Sequence, residues 1–363
     1  MLIPLSNWRD PKKRRVAALQ ALQERDVDAL LELHRTYLAL KGRRRARLSP
    51  RTLETYESGI REFLAWAWPP EAAGPRFPLW EAKADDVDAW LHVLETEGSH
   101  LAPPHRRRPL RPSSLATRLA AVRSFYRALR WAGVAAVPET PTPTDPTPAH
   151  ERRPALPSAL YQRLLLHLSG EDALSKRDHL AARLMGEVGL RLSEVVALDV
   201  DHVLLEEGLL EVRRGKGGKG RSVPLGRGLV GELEGWLKLR RAYAQGGERA
   251  LLVNLGGRKA HGRRMSGRML QLRFARYYRE LGFAARYRGV HLLRHTAGTR
   301  LYRGLRDLYA VATLLGHTDV NTSAIYAKMD HEGLQKRVEG LLSAEAEGLS
   351  PGERGEAEHG RAP

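Results

Sequence analysis

The stretch HLLRHTAGTRLYRGLRDLYAVATLLGHTDVNTSAIYAKM, His291–Met329, strings His291, Arg294, His317 and Tyr326 along what reads as ordinary helix. His291 and Arg294 are three apart, so on a helix they share a face, while Leu292, Leu293, Ala297 and Leu301 supply a packed side. Gly316-His317 ends a second helix, LYAVATLLGH, and Tyr326 follows in a short SAIYAKM helix after the turn TDVNT. Upstream, GLRLSEVVALD puts Arg191 at the start of a helix with Glu194 one turn later. These groups meet only if the chain folds back on itself.

Together they suit a phosphodiester. In-line attack loads negative charge onto the nonbridging oxygens, and two guanidinium forks can hold that charge with bidentate bonds. A histidine adds a donor. A tyrosine is a nucleophile only with help, since its ordinary pKa of about 10 leaves it protonated at neutral pH. A leaving 5′ oxygen needs a proton, which a nearby lysine can deliver. Taken singly, each residue also has a plain structural reading. Tyr326 fits a half-buried packing residue, His317 a helix-end cap, and Arg191 with Glu194 an ion pair. On residue chemistry alone, phosphoryl transfer stands beside these readings. No metal-ligand spacing is evident in the sequence, so a reaction without metal or cofactor is expected.

Composition points the same way. The chain has 363 residues and a formal net charge of +18, an excess that persists through both halves and predicts a polyanionic partner, most simply nucleic acid. There are no cysteines, which excludes disulfides and thiolate metal sites. The N-terminal MLIPLSNWRDPKKRR lacks an apolar run of signal-peptide length, and no segment reaches transmembrane length, so a cytoplasmic location without membrane association is expected.

Seven prolines between Val137 and Pro157 predict an extended linker that divides the chain. The first part reads as helices, among them DVDALLELHRTYLAL, SPRTLETYESGIREFLAWA, ADDVDAWLHVLETEG and PSSLATRLAAVRSFYRALRWAG. In the last of these Leu115, Leu119, Val122 and Phe125 form an apolar stripe, and Arg118, Arg123, Arg127 and Arg130 fall largely off it. Those arginines read equally as a solvated face or as phosphate contacts. The second part reads as helices carrying one small β section, GLLEVRRG then RSVPLG, joined by KGGKG. GKGGKG matches G-x-G-x-x-G, and GKGGKGRS nearly matches a P-loop, but a strand-like RSVPL follows where either motif requires a helix. A hairpin tip bearing Lys216 and Lys219 is the better reading, either a solvated turn or a finger reaching a DNA groove.

The ordered set GLRLSE, GKGGKGRSVPL, HLLRHTAGTRL and LLGHTDVNTSAIY resembles the tyrosine recombinases, the lambda integrase family, and within it the Xer-like and simple integrase branch. The resemblance is close over about Pro157 to Leu342. More loosely, it extends over the helices from about Arg45 to Gly133, which are similar to the family's SAM-like core-binding domain. It implies a mostly α fold, with an N-terminal SAM-like helical domain and a C-terminal mixed α domain holding a small antiparallel sheet. It also implies roles. Arg191 and Arg294 hold the scissile phosphate, supported by Glu194. Lys216 is the general acid, His291 assists proton transfer, and His317 bonds a nonbridging oxygen. Tyr326 attacks to form a 3′-phosphotyrosine. The partner implied is double-stranded DNA, bound by a tetramer passing through a Holliday junction and joined through the C-terminal helix. A related recombinase can serve as a second subunit. Lys219 competes with Lys216 for the acid role, and Arg118, Arg123, Arg127 and Lys219 are the further DNA-binding candidates.

The organisation expected is an N-terminal extension over 1–44, a core-binding domain over 45–136, a linker over 137–157, a catalytic domain over 158–343 and a disordered tail over 344–363. Two other readings share the motifs: a DNA-binding protein of this fold that no longer cuts, and a topoisomerase-like relaxing enzyme. Tyr326 with both arginines speaks against the first. The sequence does not choose between resolving chromosome dimers, moving an element and inverting a segment.

Overall fold

The computed structural model describes residues 10–42, 49–147, 154–213, 220–257, 260–317, 320–329, 338–339 and 342. The chain forms two compact units, Met1–Pro146 and Thr147–Pro363.

The first unit consists of helices α1 (Pro11–Gln23), α2 (Val27–Lys41), α3 (Pro50–Ala67), α4 (Ala84–Thr96) and α5 (Pro112–Ala132). Their ends follow local chemistry. The Asp10, Asp26 and Ser49 side chains accept backbone N–H groups of the first turns of α1, α2 and α3, and Gly133, with φ +75°, closes α5 in the left-handed region. The core is aromatic and aliphatic, with the Phe63 ring edge-on to Trp90 (5.1 Å) and to Tyr126 (6.0 Å). A Cβ on Gly59 would stand 2.8 Å from the Ala121 methyl, so the missing side chain permits the close approach of α3 to α5. Residues 11–41, all within the stretch 1–44 set apart above as an extension, pack into this same core through Ala18, Ala21, Leu22, Leu30, Leu31 and Leu33. Arg14 lies 4.1 Å over the Trp131 ring and donates to the Trp131 carbonyl.

The second unit runs α6 (Ser158–His167), α7 (Ala173–Gly186), α8 (Leu192–Ala197), β1 (Val203–Leu204), β2 (Leu209–Val212), β3 (Arg221–Pro224), α9 (Arg227–Arg240), α10 (Gly267–Glu280), α11 (His291–Leu305), α12 (Leu308–Leu315), a 3-10 turn (Val320–Ser323) and α13 (Ala324–Met329). The sheet is antiparallel in the order β1-β2-β3, with Leu210 opposite Val223 and Val212 opposite Arg221. The two longer strands match the sequence reading. The two-residue β1 is too short to show a period, and the described residues of 241–266, a stretch the sequence reading made helical, are irregular with isolated bridges at Ala250, Val253 and Arg264. Leu180, Leu184 and Leu293 are fully buried in the core of this unit. Among the described residues, no helix is long and apolar enough to cross a membrane. Mostly helical, with one small antiparallel sheet, the chain has the fold class read from its sequence.

Candidate active site

Arg191 is the residue before α8, and its location follows from the glycine two positions earlier. Gly189 has φ +76°, and a Cβ there would meet Leu315 Cδ2 at 2.2 Å, so only glycine allows the turn and the contact with the end of α12. Arg191 donates through its side chain to Glu194 Oε1 (2.8 Å) and to the Gly316 carbonyl (3.2 Å). Its backbone N–H donates to Glu194 Oε2 (2.9 Å), so the glutamate side chain reaches back to satisfy the first free donor of the turn.

Arg294 projects from the first turns of α11 and is only 6% exposed. Its guanidinium donates to the Gly189 carbonyl and to the Leu315 carbonyl (2.7 Å), and stands 3.8 Å from Glu194. Burial, followed by the like charge of Arg191, pulls its pKa down to about 10, which leaves it cationic at neutral pH. Burial would raise the Glu194 carboxyl. Hydrogen bonds from Arg221 and the Arg191 amide, with the charges of both arginines, outweigh burial and hold Glu194 below the usual carboxylate range.

Gly316, left-handed at φ +67°, ends α12 and turns the chain to His317. The His317 ring is fixed on both sides. Its Nδ1 is 2.7 Å from Ser323 Oγ, and its face stacks on Tyr326 with centroids 5.9 Å apart and planes 15° apart. Tyr326, on α13, is 2% exposed and packs with Val311 and Leu315. Its ring occupies the space a side chain on Gly298 would need, since a Cβ there would be 2.4 Å from the phenol carbons. His291, the first residue of α11, is exposed.

Arg191, His291, Arg294, His317 and Tyr326 all line one cavity of about 720 Å³. Glu194 lies beneath it, bonded to the arginines. Lys216 and Lys219 fall outside the described residues. In the first unit Arg118 forms a 2.6 Å ion pair with buried Glu62, Arg123 donates to Thr142 Oγ1 (2.7 Å) and to the Thr140 carbonyl, and Arg127 is exposed.

The structure adds residues the sequence reading did not single out. Arg286, Arg288 and His295 line the same cavity, Ser323 holds His317, and Arg221 holds Glu194. His295 had a local signal, its place beside Arg294. Arg221 depends on a contact 27 positions away and had none.

Among the described residues, one group places carboxylate and imidazole atoms close enough for a metal ion, Asp199 with Asp201 and His202. Those atoms already have partners. Asp199 pairs with Arg264, Asp201 with Arg249 (2.9 Å) and Arg213 (3.2 Å), and His202 Nδ1 accepts the Asp199 N–H. The arginines satisfy the carboxylates as cations would.

Residues 156–332 match the model of the phage integrase family, and residues 37–133 that of the phage integrase N-terminal SAM-like domain. The chain is 31% identical over 310 residues to tyrosine recombinase XerC of Escherichia coli O127:H6 (strain E2348/69 / EPEC), an alignment covering 85% of this chain and 94% of that one. It is 37% identical over 246 residues to tyrosine recombinase XerC of Yersinia pestis, covering 68% and 78%. In fold it is similar to the XerH site-specific recombinase bound to palindromic difH substrate in a post-cleavage complex, with a TM-score of 0.62 at 19% identity over 86% of this chain and 84% of that one. A lambda integrase dimer bound to a COC′ core site gives a TM-score of 0.62 at 17% identity over 84% and 77%.

Proposed function

Because this chain belongs to the phage integrase family and is a tyrosine-type site-specific recombinase, we propose that Tyr326 cuts DNA by attacking a phosphodiester held between Arg191 and Arg294. The Tyr326 oxygen forms a bond to phosphorus, and the bond to the 5′ oxygen breaks, leaving a 3′-phosphotyrosine. His291 takes the phenol proton, and Lys216 gives a proton to the 5′ oxygen. In the reverse direction, a 5′ hydroxyl from another strand displaces the tyrosine. The ester conserves the bond energy, so rejoining needs no ATP.

The observation that carries this reading is the convergence of Arg191, Arg294, His317 and Tyr326 on one cavity. Pre-oriented donors stabilise charge that develops on the nonbridging oxygens, and their value is greatest where water is excluded. Both guanidiniums are aimed by backbone carbonyls, at Gly316 for Arg191 and at Gly189 and Leu315 for Arg294. A carbonyl orients a cation without cancelling its charge.

Two exchanges of single strands pass through a Holliday junction in a tetramer on double-stranded DNA, a scheme supported by the likeness in fold to a lambda integrase tetramer bound to a Holliday junction (TM-score 0.61, 18% identity). The C-terminal helix docks on the neighbouring protomer. Its Val338 and Leu342 are 45% and 60% exposed, while Leu334 and Leu341 lie outside the described residues. Exposed Arg127, with Arg118 and Arg123 and the hairpin Lys219, adds phosphate contacts, and the protein works in the cytoplasm on the nucleoid. Residues 45–136 grip DNA on one side and 158–343 carry the chemistry, with 137–157 linking them.

Incubation with a nicked recombination site, followed by denaturing electrophoresis, tests the reaction. A covalent protein–DNA adduct is expected in EDTA and is lost in Tyr326→Phe. No adduct on a site that the protein binds would leave a DNA-binding role alone.

A further inference from the structure

Arg221 has no place in the scheme above, yet its side chain makes three hydrogen bonds beneath the cavity. It is the first residue of β3, directly after the lysine-bearing turn. Two of its nitrogens donate to the two Glu194 oxygens (3.0 Å each), and its Nε donates to the Leu314 carbonyl in the last turn of α12 (2.9 Å). It also packs against Gly316: a Cβ there would be 2.8 Å from an Arg221 nitrogen, so Arg221 fills the space that glycine leaves. The Gly316 carbonyl accepts from Arg191, and the next residue is His317. One planar side chain therefore ties together the carboxylate that orients Arg191, the carbonyl end of α12, and the strand leading out of the hairpin.

Resting on the reading of Tyr326 and the two arginines above, we propose that Arg221 is a positioning residue for strand cleavage. It sets the Arg191 guanidinium and the His317 ring against the scissile phosphate by bridging Glu194 and Leu314. It does not itself line the cavity. The role needs geometry as well as charge. A guanidinium offers a rigid fork and a third donor at a fixed angle, whereas the lysine ammonium is a point charge on a flexible stem. Lysine at 221 preserves the charge beside Glu194 but cannot make both sets of bonds at once.

The test compares wild type, Arg221→Lys and Arg221→Gln in the full-length protein on two nicked DNA sites that differ at one atom. One carries the natural phosphodiester. The other carries a methylphosphonate at the scissile position, which removes a nonbridging charge and with it much of the demand on the phosphate-holding donors. Both variants are expected to slow adduct formation on the natural site about 100-fold, the size of effect seen when one oriented donor is removed. DNA affinity is expected to stay within about three-fold, because these groups stabilise charge that develops during cleavage. On the methylphosphonate the deficit should shrink to less than about 10-fold, since there is less charge to stabilise. An unfolded or loosened variant would lose cleavage equally on both sites. Equal losses, a wild-type rate in Arg221→Lys, or a parallel loss of affinity would each overturn the proposal. Absence of any adduct from wild type on the natural site would instead remove the premise about Tyr326, and with it the positioning role.

Discussion

The rings of His317 and Tyr326 are nearly parallel and offset, 5.9 Å between centroids and 15° between planes, with Ser323 Oγ 2.7 Å from Nδ1 of the imidazole. A neutral imidazole offers Nε2–H to a phosphate only when its Nδ1 accepts, so the Ser323 hydroxyl must donate to Nδ1 in the working state. Ser323→Ala should slow cleavage about 5-fold, equivalent to one ordinary hydrogen bond of about 1 kcal/mol. Single-turnover rates on a nicked site measure this. An unchanged rate would show that the Ser323 hydroxyl is not needed to fix the imidazole.

Gly298 controls where the tyrosine ring lies. A methyl there would collide with the phenol at 2.4 Å. Gly298→Ala should displace α13, nearly abolish adduct formation, and lower stability by about 1–3 kcal/mol through overpacking. Thermal unfolding and adduct yield, measured together, check both effects.

Arg191→Ala and Arg294→Ala should each reduce cleavage by about 100- to 1000-fold while weakening DNA binding far less, because their largest contribution comes as charge develops in the transition state. Arg294→Ala should also lower stability, by roughly 1–3 kcal/mol, since it leaves the Gly189 and Leu315 carbonyls unpaired in a buried place. Binding isotherms and unfolding curves for both variants separate these contributions. Equal loss of binding and cleavage would make the arginines simple phosphate anchors.

The first unit should respond to acid through His34. This side chain is fully buried and bonded to Ser124 Oγ at 2.8 Å, and burial depresses its pKa from 6.5 to about 4. Between those values the unfolded chain binds a proton that the folded chain refuses, so stability falls as pH drops from about 6.5 towards 4 and is unaffected above that window. The contribution reaches about 3 kcal/mol at most. Urea midpoints at pH 7 and pH 5 should differ more in wild type than in His34→Gln.

Much of the site was readable because its chemistry is local. GLRLSE places Arg191 and Glu194 one helical turn apart, and that spacing alone brings a capping carboxylate to the arginine, as found at 2.8 Å. The helix ends at Ser49, Pro50 and Gly133 follow from capping chemistry of the same local kind. Arg221 and Gly298 were not legible, since each acts on a partner brought close only by tertiary folding; Arg221 and Glu194 are 27 positions apart. Residues 11–23, part of the stretch 1–44 read as an extension, gave little sign of their packing. Their helix buries small residues, Ala18 and Ala21, and leaves Val16 63% exposed, so no broad apolar stripe announces that it joins the core. Arg118 and Arg123 looked like a solvated face or a phosphate surface; their partners Glu62 and Thr142 lie on other segments, beyond the reach of helical periodicity.

The groups that aim Arg191 and Arg294 include the main-chain oxygens of Gly189, Leu315 and Gly316. Side-chain scanning is blind to such atoms, because every genetically encoded replacement retains them. A survey of this pocket by alanine exchange would credit the guanidiniums with precision that belongs partly to the polypeptide itself. Swapping the amide after Leu315 for an ester, which makes that oxygen a poorer acceptor, is how the hidden share becomes visible.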